Sequence, residues 1–174
     1  GDGGFDVVIG NPPYVEYRNV TGTYAVDPLS YRTLPAQNLY AFCVELAVHL
    51  TTICGRSGMI IPSSAVGLDD TLCFRELLID DTSCTWISTY SIRPSKLFEG
   101  VDQRLCIALS VVDPGNDSNS LYSTRYHHWH SAERSHLFQS LAYVPTLMHA
   151  RLQRIAQVGC ETARSIIERL EGHS

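Results

Sequence analysis

Lysine is all but missing from this chain: twelve of the 13 basic residues are arginine, and Lys96 is the exception. The 18 acidic residues outnumber them, and the formal charge of −5 has the wrong sign for a surface that grips a polyanion unaided. Non-specific affinity for nucleic acid comes from neutralising phosphates, so this chain would need help in such a task. A C-x-x-C pair is missing too. The cysteines, at 43, 54, 73, 84, 106 and 160, fall mostly within apolar runs, where a free thiol behaves as a small hydrophobe. That argues against disulfides and zinc and points to a reducing, cytoplasmic setting. The sequons Asn19-Val20-Thr21 and Asn116-Asp117-Ser118 carry no weight in that compartment. No signal peptide is recognisable and no apolar run is long enough to cross a bilayer, so no membrane partner is expected. Internal repeats and low-complexity tracts are also lacking. What remains is a globular chain of 174 residues, the length of one domain able to bury a core.

Against that background one stretch stands out: Phe5-Asp6-Val7-Val8-Ile9-Gly10-Asn11-Pro12-Pro13-Tyr14. The apolar run from Phe5 to Ile9 is continuous rather than alternating, which predicts a strand buried on both faces. Gly10 frees the backbone, the two prolines fix their own φ and remove two donors, and Asn11 before proline is held extended. The expected result is a stiff turn at the carboxyl end of a sheet strand, where open α/β folds place their ligands. It offers an amide, free carbonyls and a flat ring. Those groups suit a planar heterocycle with an exocyclic amine: the Asn11 oxygen and a proline carbonyl accept its two hydrogens, and Tyr14 stacks on its face. The plainer alternative is a turn with Tyr14 as a core filler; the preceding strand favours the site.

Asn11-Pro12-Pro13-Tyr14 resembles motif IV of the S-adenosylmethionine-dependent methyltransferases that modify adenine N6 in DNA. The longer string NPPYVEYR resembles the restriction–modification methylases of that class. Two further blocks agree in order and spacing. Asn38 to Ser64 (NLYAFCVELAVHLTTICGRSGMIIPSS) resembles the helix and strand after motif IV, and Arg93 to Leu109 (RPSKLFEGVDQRLCIAL) resembles the motif VIII region. By resemblance, Asn11 and the Pro12 carbonyl hold and activate the amine, and Pro13 belongs to the substrate-binding turn. Tyr14 and Phe98 sandwich an extruded adenine. For Phe98 the alternative is a loop anchor. The resemblance implies S-adenosylmethionine as methyl donor, double-stranded DNA as partner and a separate target-recognition region.

In that family a Gly-rich turn and an acidic residue on the first strands hold the cofactor, and no G-x-G-x-x-G or equivalent occurs here. Asn11 is the one cofactor contact expected from this chain. The expected architecture is α/β, a partial Rossmann-like methyltransferase fold: the second half of a doubly wound sheet, parallel except for a final antiparallel hairpin. Residues 1–144 are expected to form that half domain and 145–174 a helical segment. As a fragment it is expected to be inactive alone and prone to self-association through Phe5 to Ile9.

The remaining stretches read more plainly. Val15 to Gln37 lacks periodicity, and its Tyr17, Arg18, Tyr24, Tyr31 and Arg32 suit either nucleic-acid contact or surface packing. Asn38 reads as the N-cap of a helix whose stripe is Leu39, Phe42, Cys43, Leu46, Leu50 and Ile53, with Glu45 on the polar face and Gly55 as the stop. A buried strand from Gly58 to Pro62 follows, leaving Ser63 and Ser64 beside the proposed site. A helix over Thr71 to Ile79, capped by Asp69 or Asp70, leads to strands at Trp86–Ile92 and Leu105–Val112. Leu121 to His130 reads as one more strand, and Pro145 to Glu171 as two helical segments broken at Gly159. The Asp pairs 69–70 and 80–81 and the run Tyr126-His127-His128-Trp129-His130 invite a metal, but caps, turns and strand alternation explain them better. A restriction-nuclease core needs an acid two residues before its lysine, and Lys96 has Pro94 there. Two rivals stay open: methylation of another amine (cytosine N4, RNA guanine, protein glutamine), and a non-catalytic interaction module of a restriction or phage-defence assembly.

Overall fold

The computed structural model describes residues 3–20, 22–23, 27–115, 119–148 and 153–171. Tyr24, Thr21 and the sequon at 116–118 lie outside the described residues. Strand β1 (Phe5–Gly10) runs through short 3-10 turns to helix α1 (Leu39–Leu50), which leads into β2 (Thr51–Pro62). Then come α2 (Leu72–Asp80), β3 (Thr82–Tyr90), β4 (Leu105–Val112), β5 (Ser120–His127), a two-residue β6 (Val144–Pro145) and α3 (Glu161–Glu171).

The strands form one sheet in the order β1-β2-β4-β3-β5-β6. β1 and β2 are parallel, as a strand–helix–strand crossover requires. β4 inserts antiparallel between β2 and β3, with Leu105 opposite both Pro62 and Tyr90. β5 pairs parallel to the outer side of β3. This is the expected mixed α/β sheet, with the hairpin in its expected place. One face is covered by α1 and α2: Tyr40, Ala41, Val44 and Ala47 pack with Phe74, Leu77 and Leu78 over Met59, Ile61, Ile87 and Cys106. On the other, Tyr90, Trp129 and Leu137 make a smaller cluster with Ile107.

Several expectations need correction. β1 is not buried on both faces: it is an edge strand, and Phe5, Val7 and Ile9 are 61%, 58% and 75% exposed. A continuous apolar run shows what a strand can bury, not what lies beside it. Nor does the first helix continue to Gly55. It stops at Leu50, where the Thr51 hydroxyl donates back to the Ala47 carbonyl at 2.7 Å, and the chain passes directly into β2. Gly55 instead serves a tight bulge after Cys54, which sits at φ 64; a Cβ on Gly55 would meet Thr51 Cγ2 at 2.6 Å. Asn38 occupies the N-cap position but makes no side-chain cap bond, and the same holds at α2. Asp69 pairs with Arg154 at 3.3 Å, while Asp80 and Asp81 face Arg32. Of the two C-terminal helical segments only the second, α3, is found among the described residues; before it, Met148 and Ile155 make an antiparallel bridge. Ile155 and Val158 are buried, and the Ser123 hydroxyl ties that segment to the sheet by donating to Ala156 O and accepting from Val158 N, both at 2.8 Å.

Candidate functional site

The carboxyl ends of β1 and β2 and the start of β4 meet along one edge of the sheet, held by Ser63 N donating to Arg104 O at 2.9 Å. A cavity of about 960 Å³ opens there, with Tyr14, Tyr40, Pro62, Ser63, Ser64 and Arg104 among its walls. This is the edge at which open α/β sheets bind ligands. Glu16, Arg18 and Asp70 add charge of both signs to the lining.

The Asn11–Tyr14 turn leaves β1 at this rim. Pro12 is buried, Asn11 and Pro13 are exposed, and Tyr14 is half-buried with its ring packed on the edge of the main core. The two rigid prolines bring Tyr14 back over Asn11, and its hydroxyl donates to Asn11 Oδ1 at 2.5 Å. The same hydroxyl lies 3.0 Å from the carbonyl of Ile60 on β2. Burial, and then proximity to Cys106, push the phenol's pKa up to about 12, so it keeps its proton at neutral pH. The sequence assigns Tyr14 only a ring face; the structure adds work for its hydroxyl. No local pattern foretells that, because Ile60 is 46 residues away.

The two ends of the 15–37 stretch are tied together. Leu39 N donates to Val15 O and Tyr17 N to Gln37 O, both at 2.9 Å. Tyr17 and Tyr31 pack on Phe42, at 5.6 and 5.0 Å between ring centres, which is the packing alternative for both. Glu45, expected on a polar face, is 2% exposed. Its carboxylate accepts from Arg32 N at 2.8 Å and from Thr33 N and Oγ1 at 2.8 and 2.7 Å. Asn38 lines the cavity with a buried Oδ1 that has no partner among the described residues. Reading Asn38 as a cap hid this acceptor.

Phe98 is not brought to Tyr14. It sits half-buried in the 91–104 connection, it does not line the cavity, and no contact between the two rings is found among the described residues. That connection is tied down by Arg134, which donates to Lys96 O at 2.8 Å and Leu97 O at 3.1 Å. In the His-rich run, His127 stacks on Tyr90 and His128 Nδ1 lies 3.2 Å from Arg93 O. Among the described residues no three His, Cys, Asp or Glu side chains converge on one point. No helix among them is long and apolar enough to cross a membrane. For a nucleoside-bearing methyl donor the fit is partial: Asn11 is exposed just beyond the end of β1, and none of the described strands ends in a Gly-rich cradle.

Residues 1–98 match the family described as Eco57I restriction-modification methylase. No curated protein matches the chain in sequence. Among solved structures it is similar to DrdV in a DNA complex, with a TM-score of 0.63 and 16% identity, covering 89% of this chain and 18% of that one. A nuclease-deletion mutant of the Type ISP restriction-modification enzyme LlaGI, with a DNA substrate mimic, gives 0.59 and 15%, covering 85% and 18%. A Listeria monocytogenes protein described as a class I S-adenosylmethionine-dependent methyltransferase gives 0.51 and 13%, covering 78% and 41%. These likenesses establish the sheet architecture. The chain spans under a fifth of the first two relatives, 18% of each.

Proposed function

The chain belongs to the Eco57I restriction-modification methylase family, and on that premise we propose that it holds the target amine in a DNA methyltransferase acting on adenine N6. The observation that carries this reading is the Asn11–Tyr14 turn, which leaves β1 at the rim of a cavity that Tyr14 itself lines. An aromatic amine is a poor nucleophile because its lone pair is delocalised into the ring. With one hydrogen donated to Asn11 Oδ1 and the other to the Pro12 carbonyl, density returns to nitrogen, which pyramidalises towards the methyl group. Tyr14 stacks on one face of the extruded base, and Phe98 closes on the other when DNA is bound.

S-adenosylmethionine supplies an electrophilic methyl group on a sulfonium centre. With the amine held by Asn11 Oδ1 and the Pro12 carbonyl, transfer from the bound donor would cleave its sulfur–methyl bond and the amine proton would leave to solvent, so these residues would need no strong base beside them. Asn11, exposed at the end of β1, is the contact this chain offers the donor. Residues 1–144 act as the amine-holding half of the catalytic domain, and the buried Ile155 and Val158 fasten the segment around them to its sheet. Double-stranded DNA is the partner, gripped chiefly by other parts of the protein, since the charge here is −5.

A second reading, a non-catalytic interaction module, draws support from the bare apolar edge at Val7 and Ile9. Asn11→Ala in the full-length protein separates the two. The expected outcome is a loss of DNA methylation by about 3 kcal/mol in transition-state stabilisation, roughly a hundredfold in rate. Transfer of labelled methyl to an adenine-containing duplex measures it. Turnover near the parent's would sink the role of Asn11, and label appearing on cytosine would overturn the choice of adenine.

A further inference from the structure

Stacking on a base uses the face of Tyr14 and leaves its hydroxyl without a task. That hydroxyl has one proton to give, yet two carbonyl oxygens lie within reach, Asn11 Oδ1 at 2.5 Å and Ile60 O at 3.0 Å. They differ in freedom. Ile60 is locked in β2, opposite Ile107 of β4, so its carbonyl cannot turn away. Asn11 is exposed, and its amide can rotate end over end. With Oδ1 towards the hydroxyl, one of the two carbonyls goes without the proton and the Asn11 acceptor is engaged on the side of Tyr14. With the amide turned over, its NH2 donates to the phenol oxygen and the phenol proton goes to Ile60. Each group then has a partner, and Oδ1 faces away from Tyr14, open to an incoming amine.

We infer that the Tyr14 hydroxyl, anchored on the Ile60 carbonyl, is a positioning group that sets which end of the Asn11 amide meets the substrate amine. Asn11 and Tyr14 are three residues apart with two prolines between them, so the pair is preorganised and its separation hardly changes. The phenol remains protonated through the neutral range, because burial pushes its pKa up to about 12. Tyr14 then has two separable duties: its ring captures the base, and its hydroxyl turns the amide. The inference rests on the proposed role of Asn11 as amine acceptor, and the test keeps the two apart.

In the full-length protein, Tyr14→Phe keeps the ring and deletes the hydroxyl. Single-turnover methyl transfer is measured beside the KM for DNA and the fluorescence of 2-aminopurine at the target position, which reports base extrusion. The expected result is about a tenfold fall in transfer rate, the scale of one lost hydrogen bond, with KM and fluorescence within about twofold of the parent. A Tyr14→Phe rate within about twofold of the parent, where Asn11→Ala falls about a hundredfold, overturns the inference and leaves Asn11 as acceptor. Asn11→Ala at the parental rate removes that acceptor role and the inference with it. A parallel loss of rate and fluorescence assigns the hydroxyl to base capture or folding and overturns the positioning role.

Discussion

Replacing Glu45 should loosen the loop that forms one wall of the cavity. Its carboxylate is the acceptor for two backbone N–H groups and one hydroxyl, at 2.7 to 2.8 Å. Thr33 is 0% exposed, so in Glu45→Ala its two donors face neither protein nor water, whereas the Arg32 amide, nearer solvent, recovers hydration. An unsatisfied buried donor costs about 1–3 kcal/mol, which puts Glu45→Ala at about 3 kcal/mol. For a chain of this size that lowers Tm by about 6–12 °C. Glu45→Gln keeps an oxygen over Thr33 but sets an NH2 against the Arg32 N–H, and should cost about half as much. Thr33→Val loses one bond and should cost about 1 kcal/mol. Thermal unfolding followed by circular dichroism ranks the three. Limited proteolysis should show new cuts at 27–37, because Pro35, Ala36 and Gln37 line the cavity from this loop. Glu45→Gln melting with the parent and equally resistant would show that the carboxylate is not the clamp.

Two more outcomes are expected. Burial pushes Tyr14, Tyr40, Tyr90 and Cys106 each up to about 12, from ordinary values of 10.0 for the phenols and 9.0 for the thiol. Each is neutral when protonated and ionises more readily in the unfolded chain. Stability should therefore be complete below about pH 9 and fall as pH rises towards 12, and a urea midpoint constant up to pH 11 would contradict this. At the bare edge, Val7→Lys and Ile9→Lys should reduce self-association of this chain in light scattering, since charged side chains blunt strand edges. A parent chain that is already monomeric at high concentration would refute that edge's role.

What could be read from the sequence was local. The Asn11–Tyr14 turn is legible because glycine and two prolines leave the backbone few options, and the β3–β4 hairpin because no helical pattern separates two apolar runs. Where partners lie far along the chain, the sequence is silent. Arg75, in the middle of α2, is 0% exposed and forms no ion pair with a carboxylate among the described residues. It donates instead to the carbonyls of Leu68 at 2.7 Å and Gln153 at 2.6 Å, fastening the C-terminal segment to the helix. Nothing in the residues around it distinguishes this from an arginine on a solvated face. Glu45 misleads in the same way, since its donors at 32 and 33 belong to a loop with no periodicity. Resemblance places Phe98 beside Tyr14, whereas Phe98 does not line the cavity and Arg134 tethers its loop through Lys96 O and Leu97 O.

The 91–104 connection starts at the end of β3 and lands beside the end of β2, because β4 runs back between them. Both of its feet are set by main-chain bonds, Ser91 N to His127 O at 2.8 Å and Ser63 N to Arg104 O at 2.9 Å. The stretch between them can lengthen, shorten or be exchanged without disturbing the register of a single strand, and doubling a loop's length costs only about 0.6 kcal/mol in closure entropy. Floor and rim of the cavity are thereby inherited differently. The groups at the strand ends travel with the sheet, while the connection, which reaches the cavity through Gln103 and Arg104, can vary in length between its two fixed feet.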